Sequence, residues 1–443
     1  MFSDCLSNRQ GQLNFVERAV ATAAAFLYLY FTLHGKRKEV NTMKKVFAIV
    51  MAAMLTLSLL AGCAQAGTAG GNVNLGGNNA GGNEAATTIK VGTSGPLTGD
   101  YAVYGVAVQY GLELAFEEIN AMQDELKFET KAEDDEADSE KAVNAYNNLM
   151  DWGMVIMAGP TTSASAAAAA AECANDKVFM LTPSASDAAV IEAGDNVFQI
   201  CFTDPNQGKA SAQYIVNNQL ATKVGIIFDS SSPYSAGIKA TFVEEAKALN
   251  LETVEFAFTD DTKGDLTTQV TKCQQEGCDL VFLPIYTAEA TKVLSLASTM
   301  NYEAKFFGCD GLDGILTVEG FDPALAEGVM LLTPFDATAE DEKTQAFVKA
   351  YTGKYGIAPN QFAADAYDVG YAIYAACKAT GVTAGMDAAT ICEKLVAQFT
   401  SMSFDGLTGQ AMTWDASGAV SKEPMAVVIE KNEAGEYVYA GME

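Results

Sequence analysis

The chain has 443 residues, which is enough for two folded domains together with targeting sequence. Hydrophobic residues make up 49% of it and charged residues 19%, so the body is globular, and a formal net charge of -29 argues against binding nucleic acid or anionic lipid. The only histidine is His34, near the N-terminus, so catalysis by Ser-His or Cys-His pairs and metal ligation by histidine are excluded from the rest of the chain.

The sequence that starts at Met43 indicates a bacterial lipoprotein signal. Two lysines follow the methionine, and residues 46–60 form an apolar run that is too short for a comfortable membrane span. The run leads into LAGC, which resembles a lipobox, a signal whose cysteine is lipidated and becomes the first residue of the mature chain. We expect residues 43–62 to be a signal peptide and Cys63 to anchor the protein to the membrane. The alternative is a signal anchor that contains a cysteine.

The segments on either side of this signal have different characters. Residues 1–42 contain AVATAAAFLYLYFTL, which is short for a transmembrane helix. We interpret these residues as the result of a start codon assigned too early, with Met43 as the true start. Residues 63–87 are rich in Gly and Asn and too poor in apolar residues to pack, so they predict a flexible tether with a reach of roughly 25–30 Å.

From residue 88 onward, strand-like and helix-like stretches alternate. The first strand-like stretches are 88–96, 127–135, 154–160, 178–186 and 196–204. Helical spacing of apolar residues and a candidate N-cap at Ser139 predict helices between them, at 104–120, 139–151 and 162–174.

The same rhythm repeats in the second half of the chain. Strand-like stretches occupy 223–231, 252–259, 279–286, 304–311 and 328–335, and the helices between them are predicted at 234–249, 265–277 and 287–300. Three more helices are predicted at 340–355, 361–380 and 387–400, followed by short β-runs at 409–415 and 426–441. This alternation predicts an α/β fold with parallel sheets covered on both faces, and the two runs predict two lobes.

The cysteines and acidic residues do not predict a metal site or a cofactor. Seven cysteines lie in the body of the chain, at positions 173, 201, 273, 278, 309, 377 and 392. Their odd number argues against a full disulfide framework and their spacing does not match zinc ligands, although Cys273 and Cys278 are near enough in sequence for a local disulfide. The acidic cluster at 133–140 lacks the spacing of a calcium-binding loop.

Ligands of parallel sheets bind beyond the carboxyl ends of the strands, so the loops there are the candidate site. These loops are 93–104, 159–163, 182–187, 229–234, 284–288 and 308–313, and they contain hydroxyl residues, glycines and tyrosines but no Lys or Arg. The lack of a cation, of a phosphate-binding loop and of a histidine base argues against phosphate binding and against an enzyme.

The loop GPTTS leads into a helix at Ser163, and a helix N-terminus with hydroxyls and no cation suits a carboxylate. The alternative is simple capping by Thr162 or Ser163. Asp310 could oppose an ammonium group, although an Asp-Gly turn is an ordinary alternative. Three tyrosines at strand ends could close over an apolar ligand or could be ordinary packing: Tyr104, Tyr234 and Tyr286.

Several stretches in this order resemble the Leu/Ile/Val-binding proteins of ABC transporters, which have the type I periplasmic-binding fold. They include IKVGTSGPLTGDYAVYG, GPTTSASA, VFMLTPSAS, FGCDGLDG and QFAADAYDVGYAIYAA. The resemblance implies two Rossmann-like lobes joined by three crossovers, with the ligand in the cleft between them. The first lobe would comprise 88–207 and 335–407, and the second 208–334 and 408–443.

The resemblance also implies roles for individual residues. Ser163 and the loop Ser184–Ala185–Ser186 would hold the ligand carboxylate and part of its ammonium, and Ser186 stands where the family often has Thr. Asp310 would face the ammonium, although Asp313 is near enough to take that role. Tyr104, Tyr234 and Tyr286 match aromatic ligand contacts in the family.

These features predict a lipid-anchored, extracytoplasmic substrate-binding protein of an ABC importer, with a membrane permease as its partner. The expected ligand is an amino acid, branched-chain or otherwise apolar. The alternatives are a sensory module built from the same lobes, or an amide or small carboxylate as the ligand.

Overall fold

The computed structural model describes residues 87–442, which belong to one compact unit of the chain. The predicted upstream start, the signal peptide, the lipidation site Cys63 and almost all of the tether lie outside these residues. The first strands are β1 (Ile89–Gly95), β2 (Phe128–Asp134), β3 (Ile156–Met157), β4 (Phe179–Thr182) and β5 (Val197–Gln199). The helices that accompany them are α1 (Ala102–Ala121), α2 (Ser139–Trp152), α3 (Ser163–Asp176) and α4 (Ala188–Ile191).

The second run begins with helix α5 (Asp204–Asn217). Its strands are β6 (Lys223–Asp229), β7 (Glu252–Phe258), β8 (Leu280–Leu283), β9 (Lys305–Gly308) and β10 (Met330–Thr333). The helices are α6 (Pro233–Ala248), α7 (Thr267–Gln275) and α8 (Thr287–Thr299), and three 3-10 turns lie at Asp310–Leu312, Ile315–Thr317 and Pro323–Ala326. The last elements are α9 (Glu342–Tyr355), α10 (Gln361–Thr380), α11 (Ala388–Phe399), β11 (Ser403–Phe404), β12 (Met412–Thr413), β13 (Met425–Lys431) and β14 (Tyr437–Gly441).

The two long runs form two sheets, which confirms the predicted α/β fold. The first sheet has the order β2-β1-β3-β4-β5 and is parallel throughout. The second has the order β14-β13-β10-β9-β8-β6-β7, with its β-strands parallel except at the β10-β13 and β13-β14 pairs. Central strands such as β4 and β8 are buried along their whole length, as their apolar sequences FMLT and LVFL require.

Local sequence accounts for where several helices begin and end. The side chains of Asp138, Asp341 and Asp387 each accept a hydrogen bond from a backbone N–H in the first turn of the helix that follows. Helix α2 ends at Gly153, whose φ of 95° lies in the left-handed region that glycine adopts most readily.

The first lobe is completed by residues from the end of the chain. Helices α9, α10 and α11 pack in the same hydrophobic core as β1 and α1, and Trp414 and Val420 belong to that core too. The Trp414 indole Nε1 donates a hydrogen bond to Gln199 O at 2.9 Å. The chain therefore leaves the first lobe for the last time after Val420, later than the predicted boundary at residue 408.

A buried ion pair lies at this last passage between the lobes. Lys422 Nζ is 2.7 Å from Asp365 Oδ1, and both side chains are almost completely buried. Lys422 also donates to Thr408 Oγ1, and the Asp368 carboxylate accepts from Leu407 N and Thr408 N. These contacts fix the residues before β13 against helix α10.

The seven cysteines among the described residues are all buried as free thiols, so the local disulfide between Cys273 and Cys278 is not formed here. Within residues 87–442, no helix is both long enough and apolar enough to cross a membrane.

Candidate functional site

A small cavity lies between the carboxyl edges of the two sheets. Its wall contains residues from both lobes: Tyr104, Thr161, Thr162, Ser163, Ser184, Tyr234, Tyr286, Asp310, Gly311 and Phe362. Six of these ten were predicted as site residues from the sequence.

The first lobe contributes the N-terminus of helix α3 to the cavity. Thr162 is the N-cap residue and Ser163 the first helical residue, and the Thr162 side chain makes no capping hydrogen bond. The predicted alternative, capping by the Thr162 hydroxyl, is therefore wrong. A 14-residue helix whose first N–H groups lack a side-chain acceptor presents partial positive charge to the cavity, which favours an anion.

The loop after β4 lies beside this helix end. Ser184 lines the cavity, and its hydroxyl donates to Thr161 O at 2.7 Å. Ala185 and Ser186 are completely buried one layer behind the wall, and among residues 87–442 the Ser186 hydroxyl has no hydrogen-bond partner. The loop therefore supplies hydroxyl groups next to the helix N-terminus.

The second lobe contributes the Asp310 carboxylate, which is 3% exposed. Tyr234 Oη donates to Asp310 Oδ1 at 2.6 Å and accepts from Gly311 N at 3.0 Å. Asp310 N donates to Gln207 Oε1, and Gln361 Nε2 donates to Asp310 O. Burial raises the pKa of the Asp310 carboxyl to about 6, and the bond from Tyr234 opposes that rise by stabilising the ionised form.

Asp313, the sequence alternative to Asp310, has a different environment. Its Oδ2 accepts a hydrogen bond from Gln361 N at 2.8 Å, at the first residue of helix α10. It does not contribute to the cavity wall. The geometry therefore gives Asp313 a structural contact with a helix N-terminus and leaves Asp310 as the carboxylate that faces the cavity.

The three predicted tyrosines meet at the cavity, on the side where the lobes touch. Tyr234 and Tyr286 stack with ring centroids 4.8 Å apart, and Tyr104 lies 5.3 Å from Tyr286. The Tyr104 hydroxyl crosses to the second lobe, where it donates to Gly311 O at 2.6 Å and accepts from Thr287 N at 2.7 Å. Its hydroxyl is thus engaged between the lobes, while its ring remains in the cavity wall.

A second, wider cavity of about 200 Å³ adjoins the first and shares Thr162, Tyr234 and Tyr286 with it. At its edge, Tyr101 Oη of the first lobe donates to Glu289 Oε1 of the second at 3.0 Å. Lys263 Nζ donates to the same hydroxyl at 2.9 Å. Burial raises the pKa of Glu289. This outer cavity leads from the inner one towards the surface of the cleft.

Four wall residues were not predicted as site residues: Thr161, Thr162, Gly311 and Phe362. The first two lie in the GPTTS loop and Gly311 follows Asp310, so the rule of inspecting strand ends could have found them. Phe362 lies in the first turn of helix α10. No strand comes directly before this helix in the chain, so inspecting the loops at strand ends does not find Phe362.

The acidic cluster at 133–140, which the sequence did not predict to bind calcium, has local structural roles. Asp134 accepts from Leu97 N and Thr98 Oγ1, and Asp135 accepts from Ser94 Oγ. Among the residues that the structure describes, no group of three or more His, Cys, Asp or Glu side chains is arranged to hold a metal ion.

Comparison of this chain with known proteins shows which family it belongs to. The Leu/Ile/Val-binding protein BraC3 of Rhizobium johnstonii is 29% identical over 232 residues, which are 52% of this chain and 63% of that protein, so the match spans less than two thirds of the relative. The branched-chain amino acid transporter substrate-binding protein LivJ of Streptococcus pneumoniae, solved with isoleucine, is 29% identical with a TM-score of 0.69, covering 80% of this chain and all of that one.

A solute-binding protein of an ABC transporter from Rhodopseudomonas palustris, solved with benzoate, has a TM-score of 0.69, and the match covers 80% of this chain and 96% of that one. At 22% identity, this similarity shows a shared fold alone. A profile of the periplasmic binding protein family matches residues 88–433, which include every strand of both sheets except β14 and every wall residue of the cavity. The chain belongs to the periplasmic binding protein family, the ligand-capturing proteins of ABC transporters, and has that family's two-lobed type I fold.

Proposed function

We propose that this protein captures a free α-amino acid in the cavity between its lobes and delivers it to the permease of an ABC importer. The observation that carries the proposal is the pairing of opposite charges across one small cavity. The N-terminus of helix α3 at Ser163 favours a carboxylate, and Asp310 on the other lobe favours a cation. An α-amino acid carries both groups on adjacent atoms.

The ligand would touch both lobes only when they are closed. Ser163 and Ser184, the two wall residues at this end, would bind the carboxylate and part of the ammonium, and Ala185 and Ser186 would support them from behind the wall. Asp310 would complete the ammonium site. A ligand that contacts both lobes favours the closed form over the open one by the free energy of the contacts that only the closed form allows.

An aromatic or other simple carboxylate fits the cavity less well. Such a ligand could occupy the helix N-terminus, but it would bury the Asp310 carboxylate with no cation beside it. An uncompensated buried charge is costly. The isoleucine bound by the S. pneumoniae protein has the required ammonium, whereas the benzoate of the R. palustris protein does not.

We also propose that the mature protein is anchored by a lipid on Cys63 and is held near its permease by the tether 63–87. Family membership implies an extracytoplasmic location, and the proposed anchor would keep the protein beside the membrane. A sensory role, which uses the same capture step, is the alternative for the downstream partner. Loss of amino-acid uptake in a deletion strain, restored by the gene, would favour import over sensing.

The test is calorimetric titration of the protein, unfolded and refolded to strip bound ligand, with the twenty amino acids and a set of amides and small carboxylates. We expect one-to-one binding of at least one amino acid. Its decarboxylated amine and its deaminated acid should bind at least about 100-fold more weakly, because each lacks one of the two charges. Tight binding of a simple carboxylate with no amino acid bound would contradict the proposal.

A further inference from the structure

We propose that three side chains, Tyr101, Lys263 and Glu289, form a latch that holds the two lobes together at the mouth of the cleft and slows the release of the captured molecule. The inference goes beyond the proposed function, because none of these three residues lines the inner cavity. The latch would therefore act in the same way on any molecule that fits there. It is based on hydrogen bonds that join the two lobes.

The latch centres on Tyr101, which lies in the first lobe directly before helix α1. Its hydroxyl donates to Glu289 Oε1 at 3.0 Å and accepts from Lys263 Nζ at 2.9 Å. Both partners belong to the second lobe, so the hydroxyl lies between a cation and an anion of the opposite lobe. Hydrogen bonds to charged groups are stronger than those between neutral groups. The Lys263 ammonium also lies 5.0 Å from the centroid of the Tyr101 ring, within the range of a cation–π interaction.

Contacts within the second lobe hold its half of the latch in place. Lys263 Nζ forms an ion pair with Asp260 Oδ1 at 2.6 Å, and Lys292 Nζ donates to Lys263 O at 3.1 Å. Glu289 lies in the first turn of helix α8, where the positive end of the helix favours an acidic side chain. We therefore expect the two partners of the Tyr101 hydroxyl to keep their positions when the lobes separate.

The latch lies beside the outer cavity, between the inner cavity and the surface of the cleft. Tyr101 and Glu289 line the outer cavity, and the Tyr101 ring lies 5.2 Å from that of Tyr286, which borders both cavities. Opening of the lobes must break the hydrogen bonds of Tyr101. Because Glu289 is 3% exposed, removing the Tyr101 hydroxyl would leave a buried carboxylate with one hydrogen bond fewer. Loss of the hydroxyl should therefore make the closed form less stable relative to the open one.

The experiment is stopped-flow measurement of the association and dissociation of isoleucine and of alanine, in the unchanged protein and in Tyr101→Phe. We expect Tyr101→Phe to release both amino acids about 5- to 100-fold faster, by the same factor for each. Association rates should stay unchanged, since the latch forms only once the lobes close. Tyr371→Phe is the matched control. Its hydroxyl also donates to a glutamate, Glu118 Oε2 at 2.9 Å, but both residues lie in the first lobe, so release should be unchanged.

A double-mutant cycle with Lys263→Met tests whether the contact itself is responsible. We expect Lys263→Met alone to speed release. The double variant should release more slowly than the product of the two single effects predicts, because both substitutions remove the same hydrogen bond. Lys263 is partly exposed and Tyr101→Phe keeps the ring, so we expect both variants to fold, which a thermal melt would check.

Unchanged release in Tyr101→Phe overturns the inference, and so do independent effects of the two substitutions. A different factor for isoleucine and for alanine also overturns it, because the hydroxyl would then contact the bound molecule. If neither amino acid binds, solution scattering of the protein without ligand tests the latch instead. A larger radius of gyration in Tyr101→Phe than in the unchanged protein supports it, and an equal radius overturns it, so failure of the latch and failure of the amino-acid function are distinguishable.

Discussion

Asp310 is the residue on which the proposed chemistry depends most directly. It is buried, it faces the cavity, and Tyr234, Gln207 and Gln361 all hold it in place. Its place in the site was predictable from the sequence because it lies in the loop just after strand β9. The choice between it and Asp313 was not predictable, since it depends on where helix α10 begins relative to the second lobe.

Replacing the Asp310 carboxylate should weaken ligand binding strongly. In Asp310→Asn the ligand ammonium would lose its charged partner in a buried site, so we expect a loss of about 3 kcal/mol or more, at least about 100-fold in Kd. The exposed Asp151→Asn on helix α2 is the control and should bind normally. Unchanged calorimetric affinity in Asp310→Asn would show that another group meets the ammonium.

The affinity should also fall as the pH is lowered through 6. The Asp310 pKa is about 6 without ligand, and a bound ammonium would lower it, so the complex holds fewer protons than the free protein. Below pH 6, binding must release a proton, and Kd should rise by up to about tenfold per pH unit. The measurement is Kd from pH 5 to pH 8, and a flat profile would contradict the assignment. Asp310→Asn should reduce this slope, leaving any contribution from Asp135, Asp313 and Asp365, whose pKa values burial also raises to about 6.

Gly311 shows why a particular residue type is needed next to Asp310. A Cβ built on this glycine would lie 2.5 Å from Tyr234 Oη and 2.9 Å from Ile285 O. Gly311→Ala should therefore displace the Tyr234 hydroxyl from Asp310 and weaken binding by at least about tenfold, as measured by calorimetry. Gly385→Ala, where a Cβ meets nothing within 4 Å, is the matched control. Normal binding by Gly311→Ala would mean that Tyr234 does not position Asp310.

At the scale of elements, most helices and strands follow from local sequence. The bounds of α10 agree with the prediction, and those of α1, α2 and α6 are within one or two residues of it. This agreement arises because amphipathic spacing and capping residues mark the ends of these helices in the sequence. Helix α5 was missed. Its buried residues include Gln207, Gly208 and Ser211, so its inward face lacks the apolar periodicity that reveals a helix. Strand β3 is shorter than predicted because only two of its residues pair in the sheet.

The Tyr104 side chain of helix α1 hydrogen-bonds to the second lobe. In Tyr104→Phe the ring stays in the cavity wall, but Thr287 N and Gly311 O lose their shared partner across the cleft. We expect ligand binding to weaken by about 1–3 kcal/mol, mainly through faster dissociation, with the order of preferred ligands unchanged. Stopped-flow release and calorimetry would measure this, with Tyr437→Phe as control. A changed ligand order would instead place the hydroxyl in the ligand site.

At the scale of the whole molecule, the two-lobed architecture was predictable because two runs of alternating elements are evident in the sequence. The point where the chain leaves the first lobe for the last time was harder to predict. Trp414 and Val420 lie beyond the predicted boundary at residue 408 but belong to the core of the first lobe. The buried Trp414 indole, which donates to Gln199 O of the first sheet, keeps this segment on the first lobe although turn residues surround it.

Ligand should both stabilise the protein and make it more compact. At a free ligand concentration of 100 times Kd, the free energy of unfolding should rise by about 2.7 kcal/mol, seen as a higher melting temperature. Solution scattering should show a smaller radius of gyration, because the ligand favours closed lobes. Asp310→Asn at the same ligand concentration should show neither change. Scattering that does not respond to saturating ligand would exclude capture by lobe closure.

The contribution of the last helices to the first lobe has a consequence for how the chain folds. Tyr367 on α10 donates to Glu118 on α1, and the two are 249 residues apart in sequence. Helix α1 packs on β1 and β2 early, but its packing is complete only once helix α10 has been synthesised, and contacts this distant form slowly. The first lobe therefore reaches its final packing only after the C-terminal part of its own chain has become available.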